Sequence, residues 1–320
     1  MSVLLRTICV VGATGTIGRA VVAELVKRGF GVVCLVRAPL DEPLAGATVR
    51  LVDVTDREAL ARDGFAGERF DAVISCMASR TGVPADAWAV DYRAQMNVLE
   101  VAQATKAGHF ILLSAICVQK PKLTFQHAKL KFEAELAGSG MRCSIVRPTA
   151  FFKSLSGQID RVRRGKPFLI FGDGRLTACK PISDRDLAAY LVDCIADERR
   201  WQAVLPIGGP GPAITPREQG EALFAMLGRK PKFRSVPAGL LIAVAGILGA
   251  LGRMIPALVA KAELARIGHY YATQSMLALD PRTGLYDAAA TPSTGRDSLF
   301  EHYRERLAVA AAAECGEQRG

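Results

Sequence analysis

The first 150 residues predict an α/β fold in which helices cover both faces of a parallel sheet. Short apolar runs typical of buried strands alternate there with runs of helical periodicity. Strands buried on both faces are continuously apolar, which is the pattern of parallel sheets. A glycine-rich turn joins the first strand-like run to the first helix-like run, and the alternation stops beyond residue 150. These observations predict a core domain followed by a smaller region of different construction.

Six strand-like runs define the predicted sheet. They cover residues 7–11, 32–36, 48–53, 71–76, 110–114 and 142–146. The helices predicted among them cover residues 19–28, 88–106 and 125–136. Because the carboxyl ends of parallel strands share one edge of a sheet, a ligand is expected at that edge.

The turn after the first strand carries three regularly spaced glycines, Gly12, Gly15 and Gly18. Glycines at such a turn let the backbone bend sharply and let a pyrophosphate approach the helix N-terminus, where free N–H groups favour negative charge. The flanking strand and helix favour a dinucleotide site over a turn without a ligand. The fold class is therefore a Rossmann-type doubly wound parallel sheet, and the cofactor contacts predicted from this turn are Gly12, Thr14, Gly15, Thr16, Ile17 and Gly18.

The domain organisation follows from the same patterns. Residues 1–150 are predicted to form the dinucleotide-binding core, and residues 151–180 and 205–300 a smaller C-terminal substrate cap. Residues 182–200 begin like a capped helix and are expected to pack back on the core. The alanine-rich residues 308–320 are expected to be a disordered tail.

Composition argues against a metal centre. Eight cysteines occur in 320 residues, no two of them form a Cys-x-x-Cys pair, and only four histidines are present. Zinc and iron–sulfur sites need clustered ligands, so no metal site is predicted. Free thiols, together with a start that lacks a basic and then apolar leader, predict a cytoplasmic protein.

The formal net charge of +10 indicates either simple solubility or attraction to anions. The candidate anions are cofactor phosphates, an acidic substrate and an anionic membrane surface. Nucleic acid is not predicted as a partner, because the basic clusters at 161–166 and 229–234 are short and lie in no known nucleic-acid-binding module. The charge says nothing about oligomeric state, which stays open.

Residues 236–252 are almost entirely apolar and carry no charge. The segment lies at the lower limit of length for a membrane span, and its four glycines and one proline weaken that interpretation further. A helix that is buried or lies at an interface is favoured over a span. An oligomer contact is the remaining interpretation.

Arg37 ends the second predicted strand, where this fold places the residue that meets the adenosine ribose. An arginine there suits the 2′-phosphate of NADP, and no carboxylate follows until Asp41. NADPH is therefore the predicted cofactor, with an unbound surface arginine as the alternative. Asp53 ends the third strand and is placed either to meet the adenine or to lie in a solvated loop.

Several motifs together resemble the atypical short-chain dehydrogenase/reductase superfamily, and nearly the whole chain matches its layout. They are the glycine turn, Asp53-Val54, Ser75-Cys76-Met77-Ala78, Ser114, Lys129 and Arg147-Pro148. The resemblance implies further cofactor contacts from Ser75, Cys76, Lys129 and Pro148.

Within that superfamily the chain is most similar to the 3,8-divinyl (proto)chlorophyllide 8-vinyl reductases. The matching segments are Val90-Asp91-Tyr92, 125–133, 171–174 and 180–183. The resemblance implies an oxidoreductase of chlorophyll or bacteriochlorophyll biosynthesis that reduces the 8-vinyl group of a tetrapyrrole to ethyl with NADPH. It also implies a role for the positive charge. A basic surface would make peripheral contact with the photosynthetic or inner membrane from which the pigment is delivered.

The chain departs from the usual superfamily pattern at one catalytic position. The usual pair is a tyrosine four residues before a lysine, and here Lys129 follows Phe125. Phenylalanine cannot donate the proton that carbonyl reduction needs, whereas reduction of a conjugated C=C bond needs no phenol on a substrate oxygen. Lys129 is therefore expected to hold the nicotinamide ribose or to supply a proton or positive charge. Its alternative is a surface lysine paired with Glu133.

Other site residues are less specific. Ser114 is expected to act in catalysis beside Lys129 or to be a turn serine, and His127 is an alternative acid. A tetrapyrrole needs a wide apolar cleft with a cation for its carboxylate, and the lining candidates are Phe125, Phe151, Phe152 and Arg161. Two other functions stay open, a reductase of another conjugated double bond and a non-catalytic NADP-binding sensor or assembly protein.

Overall fold

The computed structural model describes residues 6–252, 254–255 and 257–317. The chain divides into two units. The first falls within Met1–Pro148 and Leu187–Pro206, and the second within Thr149–Asp186 and Ile207–Gly320. The organisation inferred from the sequence places the first boundary at 150 and the returning segment at 182–200, a few residues away from these limits.

A seven-stranded sheet forms the centre of the first unit. Its strands are β1 (Thr7–Val11), β2 (Gly31–Val36), β3 (Thr48–Leu51), β4 (Ala72–Ser75), β5 (Phe110–Leu113), β6 (Cys143–Pro148) and β8 (Ala203–Ile207). Their order across the sheet is β3-β2-β1-β4-β5-β6-β8. Neighbouring strands from β3 to β6 pair in parallel, which confirms the predicted doubly wound fold. The order reverses between β1 and β4, and ligands of this fold class bind beyond the strand ends at such a point.

Helices flank this sheet and continue through the second unit. The α-helices are α1 (Thr16–Lys27), α2 (Arg57–Ala59), α3 (Pro84–Asp86), α4 (Gln95–Ala104), α5 (Thr124–Gly138), α6 (Phe152–Leu155), α7 (Ile159–Arg163), α8 (Asp184–Asp193), α9 (Pro216–Met226), α10 (Ala238–Leu251), α11 (Ala257–Thr273) and α12 (Leu299–Glu317). Two π-helical stretches, Leu60–Phe65 and Ala87–Ala94, follow α2 and α3, and two 3₁₀ turns cover Ile116–Gln119 and Glu198–Arg200.

Several observed strands end earlier than the apolar runs that predict them. The third strand stops at Leu51 instead of Asp53, and the fourth at Ser75 instead of Cys76. Asp53 leaves the ladder because its carboxylate accepts hydrogen bonds from the backbone and hydroxyl of Thr55 in a tight turn. The long helix predicted from residue 88 begins at Pro84, since proline suits the first helical position. These shifts place the candidate residues in loops at the carboxyl edge of the sheet.

The core of the first unit lies between its sheet and helices. Phe110 of β5 and Phe132 of α5 are both fully buried, with ring centroids 5.8 Å apart. Phe65 and Phe70 meet edge to face at 5.3 Å in the same cluster. Large apolar side chains thus fix α5 against the sheet, and this helix carries the candidate lysine.

The second unit has a smaller core of its own. Its strands are β7 (Phe168–Phe171) paired in parallel with β9 (Phe233–Val236), and β10 (Ala278–Leu279) paired antiparallel with β11 (Tyr286–Asp287). Tyr303 of α12 is fully buried, and its hydroxyl donates to the carbonyl of Leu155 at 2.8 Å. This bond satisfies the polar end of a side chain that otherwise packs among apolar neighbours.

Two segments differ from expectation in this unit. The apolar run 236–252 forms α10, but Ala245 is the one buried residue of that helix, so its interpretation as a buried helix is wrong. No helix in the described ranges is both long and apolar enough to cross a membrane. Residues 308–317, expected to be disordered, continue α12, because alanine has the highest helix propensity. Residues 318–320 of that expected tail lie outside the described residues.

Candidate active site

The glycine turn after β1 has two glycines that the protein's own backbone requires. Gly12 has φ of +77°, and a Cβ there would lie 2.7 Å from the carbonyl carbon of Cys76. A Cβ on Gly18 would lie 2.1 Å from the carbonyl oxygen of Gly12. Both distances are shorter than non-bonded contact allows, so β1, α1 and the end of β4 come this close only because side chains are absent.

Gly15 differs from the other two glycines. Its φ is −72°, and a Cβ there would meet its nearest neighbour, the carbonyl oxygen of Gly12, at an ordinary 3.5 Å. It is exposed at the N-cap of α1, whose first turn holds no acidic residue. The fold itself therefore does not require glycine here, and the missing side chain leaves space for an anion at the positive end of the helix.

The other residues predicted from the glycine motif take different positions. Thr14 is exposed, Thr16 is half-buried, and Ile17 is buried against the core. Thr14 is therefore accessible to a ligand, whereas Ile17 can contribute its backbone at the N-terminus of α1. The turn as a whole fits the pyrophosphate of a dinucleotide.

Arg37 and Asp53 follow the ends of β2 and β3, on the same edge of the sheet as the glycine turn. Arg37 is exposed and makes no hydrogen bond or ion pair with the described part of the chain. The backbone N–H and hydroxyl of Thr55 hold the pKa of Asp53 below its usual value, and the charge of Arg37 adds to this effect. The carboxyl edge of the sheet thus carries the exposed Arg37 guanidinium and the Asp53 carboxylate, on the same edge as the glycine turn.

Three further predicted residues lie at the ends of β4 and β6. Ser75 is fully buried and its hydroxyl donates to Oε1 of Gln95 at 2.8 Å. The backbone N–H of Cys76 donates to the carbonyl of Val11, and burial raises the pKa of the Cys76 thiol to about 12. Pro148 is buried at the end of β6. Ser75 and Cys76 are thus held by the protein itself, and the Cys76 thiol stays protonated near neutral pH.

Lys129 is buried on α5 in an ion pair. Its side chain is 10% exposed, and its Nζ lies 2.9 Å from Oδ1 of Asp91, whose side chain is fully buried. Asp91 also accepts hydrogen bonds from the backbone N–H of Ser79 at 3.2 Å and from its hydroxyl at 2.6 Å. Ser79 thus donates one hydrogen bond to each carboxylate oxygen of Asp91. Because this carboxylate is fixed, the ammonium group of Lys129 that pairs with it has a defined position.

A second buried pair lies one helical turn further along α5. Glu133 accepts from Nε of Arg147 at 3.2 Å and from Nη2 of the same guanidinium, a two-pronged arrangement. It also accepts from the hydroxyl of Ser114, which follows β5. Glu133 thus links the end of β5 to the end of β6, and Ser114 is oriented by this carboxylate.

The chain is similar to several known proteins. Residues 12–198 match the family model described as NAD(P)H-binding. The divinyl chlorophyllide a 8-vinyl-reductase of Zea mays is 50% identical over 98% of this chain and 82% of its own length. The protein of the same name from Arabidopsis thaliana is 48% identical, over 97% of this chain and 79% of its own. The chain belongs to the divinyl chlorophyllide a 8-vinyl-reductase family.

A solved structure supports the fold of this vinyl-reductase family member. An NADPH-dependent quinone oxidoreductase of Escherichia coli, crystallised with NADPH, superposes with a TM-score of 0.69 at 20% identity, covering 94% of this chain and 99% of the other. At this identity the likeness concerns the fold. The predicted superfamily and family are both confirmed by these comparisons.

The structure of this vinyl-reductase family member excludes one of the two roles expected for Lys129. Lys129 is not a surface lysine paired with Glu133, because it points to Asp91 while Glu133 binds Arg147. The i, i+4 spacing on α5 allows the first pairing, but burial selects carboxylate and guanidinium partners from other elements. His127 is exposed, and Phe125 is half-buried on the first turn of the same helix.

The roles of Asp91 and Glu133 were missed by the sequence analysis. Asp91 falls inside a motif of the vinyl-reductase family, and a carboxylate flanked by apolar residues in a helix was the only available signal. Glu133 carries no local signal, since an acidic residue in a helix is ordinarily solvated. Both roles depend on which side chains the fold brings together across long sequence distances.

The remaining substrate-lining candidates belong to the second unit. Phe152 is buried, with its ring centroid 5.5 Å from that of His302, and lines a cavity of about 950 Å³. Phe151 pairs with Ile182 in an isolated bridge, and Nε of Arg161 donates to the carbonyl of Pro167 at 2.8 Å. Charged side chains dominate the cavity lining, including Lys153, Asp160, Asp184 and Arg185. This lining differs from the wide apolar cleft expected for a macrocycle.

Proposed function

We propose that this chain reduces the 8-vinyl group of divinyl chlorophyllide a to an ethyl group with NADPH. The supporting observation is the buried Lys129–Asp91 pair on a helix that carries phenylalanine, not tyrosine, at position 125. This arrangement supplies a positioned cation without a phenol, which suits a conjugated alkene and not a carbonyl. Membership of the vinyl-reductase family supports the same assignment.

The residues present fit an NADPH molecule along the edge of the sheet. The open space at Gly15 would take the pyrophosphate, Arg37 the 2′-phosphate and Asp53 the adenine. The segment of Ser75 and Cys76, with Pro148, would border the nicotinamide half. Lys129 would hold the nicotinamide ribose.

The reduction adds two hydrogens across the C=C bond. NADPH, when bound, supplies a hydride to the terminal vinyl carbon. The protein must offset the negative charge that then spreads into the macrocycle, and a proton must reach the neighbouring carbon. We propose that the Lys129 ammonium, which Asp91 holds in place, stabilises that charge or provides the proton. Ser114, oriented by Glu133, is the second polar group proposed at the reacting end.

The direct assay uses purified protein, NADPH and divinyl chlorophyllide a. A shift of the Soret band together with a product heavier by two hydrogens is the expected result. Binding of NADPH without any turnover would contradict the proposal and indicate a cofactor-binding protein without reductase chemistry. Turnover only with other conjugated alkenes would assign the chain to a different reductase activity.

Substitution of Gly15 by alanine is expected to weaken NADPH binding by about tenfold or more while changing the free energy of unfolding by less than about 0.5 kcal/mol. The new methyl group fits the protein, because its nearest neighbour is 3.5 Å away, but it occupies the space assigned to the pyrophosphate. Isothermal titration and urea unfolding measure the two quantities. The contrast variant is Gly18→Ala, which should unfold at lower urea because its methyl group meets backbone at 2.1 Å. Unchanged NADPH affinity in Gly15→Ala would remove the pyrophosphate assignment.

Removal of the Arg37 guanidinium should lower the affinity for NADPH by roughly ten- to a hundredfold and leave NADH binding nearly unchanged. A charge-assisted hydrogen bond to the 2′-phosphate contributes about 1.5–3 kcal/mol, and NADH has no such phosphate. The experiment titrates both cofactors into the Arg37→Ala variant. Arg57→Ala is the matched control, since this arginine is also exposed. An equal loss of affinity for NADPH and NADH would show that Arg37 does not bind the 2′-phosphate.

The proposed setting of the reaction follows from the substrate and the cysteines. Seven cysteines form no disulfide, and this supports a reducing compartment such as the cytoplasm; they are Cys9, Cys34, Cys76, Cys117, Cys143, Cys179 and Cys194. The proposed substrate is a large, flat and mainly apolar macrocycle, so we propose a location at the periphery of the pigment-containing membrane. The relatives are named as chloroplastic proteins.

A further inference from the structure

The second unit carries an exposed apolar surface that vinyl reduction does not use. Helices α10 and α11 form what we call the apolar hairpin. Its exposed side chains include Ile247 at 62% and Met254 at 85% of their full accessible area. The other large exposed apolar residues of the hairpin are Leu240, Ile242, Val244, Leu251, Ile255, Val259, Leu264 and Tyr271. Monomeric proteins seldom expose so many contiguous apolar side chains, so this surface marks an interaction site.

One face of α10 packs against α11 within the hairpin. Ala245 is buried, and a Cβ on Gly252 would lie 3.1 Å from Cγ2 of Val259 on α11. A Cβ on Gly249 would likewise lie 3.1 Å from Nη2 of Arg266. Small residues thus let α10 pack closely on α11 through a narrow face. The larger apolar side chains of α10 are left on the remaining, exposed face.

The hairpin and the segment before it are strongly basic. Residues 228–273 contain seven lysines and arginines against a single acidic residue, Glu263, a formal net charge of +6. Glu263 is buried and pairs with Arg266 at 2.9 Å. Four exposed cations have side chains that make neither an ion pair nor a hydrogen bond within the described chain, and these are Lys230, Lys232, Arg234 and Lys261. The positive charge of this segment is therefore available to an anionic partner.

We propose that the apolar hairpin and its four unpaired cations dock on an anionic lipid bilayer. Exposed apolar side chains enter the boundary between headgroups and acyl chains, while lysines and arginines meet lipid phosphates. The 14 residues of α10 span about 21 Å, which is shorter than the roughly 30 Å hydrocarbon core. The helix therefore lies in the interface and does not cross it.

Charge disfavours a second copy of this chain as the occupant. A symmetric dimer through this surface would bring two segments of formal charge +6 against each other. Juxtaposed like charges oppose association, whereas the same charge attracts anionic headgroups. This docking proposal rests on the membrane location proposed above and names the surface responsible. Binding to vesicles is measured without turnover, so failure of docking and failure of vinyl reduction are distinguishable.

The test is sedimentation of the full chain with vesicles of phosphatidylcholine mixed with phosphatidylglycerol. Binding is expected to these vesicles, with little binding to phosphatidylcholine alone and a decrease at high salt. The double variant Ile242→Ser/Ile247→Ser should bind about tenfold more weakly. The triple variant Lys230→Gln/Lys232→Gln/Arg234→Gln should lose the preference for anionic vesicles. The matched control Leu285→Ser removes an equally exposed apolar side chain outside the hairpin and should bind like the parent protein.

Three outcomes would overturn the proposal. They are no binding to anionic vesicles, equal binding by parent and hairpin variants, and a parent dimer in solution that the hairpin variants convert to a monomer. The last outcome, measured by light scattering, would assign the surface to a second copy.

A second measurement uses the variant Ile247→Trp, which adds an indole at the surface of the hairpin. If this surface docks on the bilayer, brominated lipids should quench the fluorescence of the indole. NADPH affinity of every variant reports whether the first unit is intact, so loss of docking and loss of the reductase site are distinguishable.

Discussion

Replacement of Lys129 by alanine is expected to lower kcat for vinyl reduction by on the order of a thousandfold, while NADPH affinity changes by no more than about tenfold. The ammonium group is the buried cation that Asp91 fixes on α5, and its contribution is largest when negative charge develops on the macrocycle. Steady-state kinetics with divinyl chlorophyllide a and cofactor titration measure the two effects. Lys131→Ala is the matched control, because this lysine lies on the same helix but is exposed.

A loss of stability must be separated from a loss of chemistry in this experiment. Lys129→Ala leaves the fully buried Asp91 carboxylate without its cation, which destabilises a fold. The double variant Lys129→Ala/Asp91→Asn removes both charges and should regain most of the unfolding free energy without regaining turnover. Recovery of turnover in the double variant, or full turnover in Lys129→Ala, would show that Lys129 does not act in the reaction.

Replacement of Glu133 by alanine should lower the free energy of unfolding by about 3–5 kcal/mol. This carboxylate is buried, and its removal leaves the Arg147 guanidinium and the Ser114 hydroxyl without their partner. Urea unfolding followed by circular dichroism measures the change. The matched control is Glu135→Ala, an exposed glutamate on the same helix, whose loss should cost less than about 1 kcal/mol. Equal effects of the two substitutions would mean that the Glu133 network does not stabilise the fold.

Local sequence signals predicted the fold and the cofactor edge. The glycine turn, the apolar strands and the position of Arg37 after β2 are all readable over a few residues, because each follows from backbone geometry or from periodicity. Parallel pairing then places the ends of those strands at one edge without further information. The family resemblance added Lys129 and the departure at Phe125.

The partners of the site residues could not be read from the sequence. Asp91 and Lys129 are 38 residues apart, and nothing local distinguishes this carboxylate from a solvated one. The spacing of Lys129 and Glu133 also allowed a pair, kept as the alternative in the sequence analysis, that does not form. Likewise, hydropathy identified the apolar segment 236–252 but could not show that its side chains are exposed, because burial depends on what packs against a helix.

Isotope transfer is the sharpest test of hydride addition to an alkene at a site without a catalytic tyrosine. The measurement uses NADPH deuterated at the transferable position, divinyl chlorophyllide a and the purified protein, with the product analysed by mass spectrometry and NMR. One deuterium is expected on the terminal carbon of the new ethyl group, with a second hydrogen drawn from solvent. A vinyl group that stays intact in the presence of bound cofactor, or an ethyl group free of deuterium, would contradict hydride addition to the alkene.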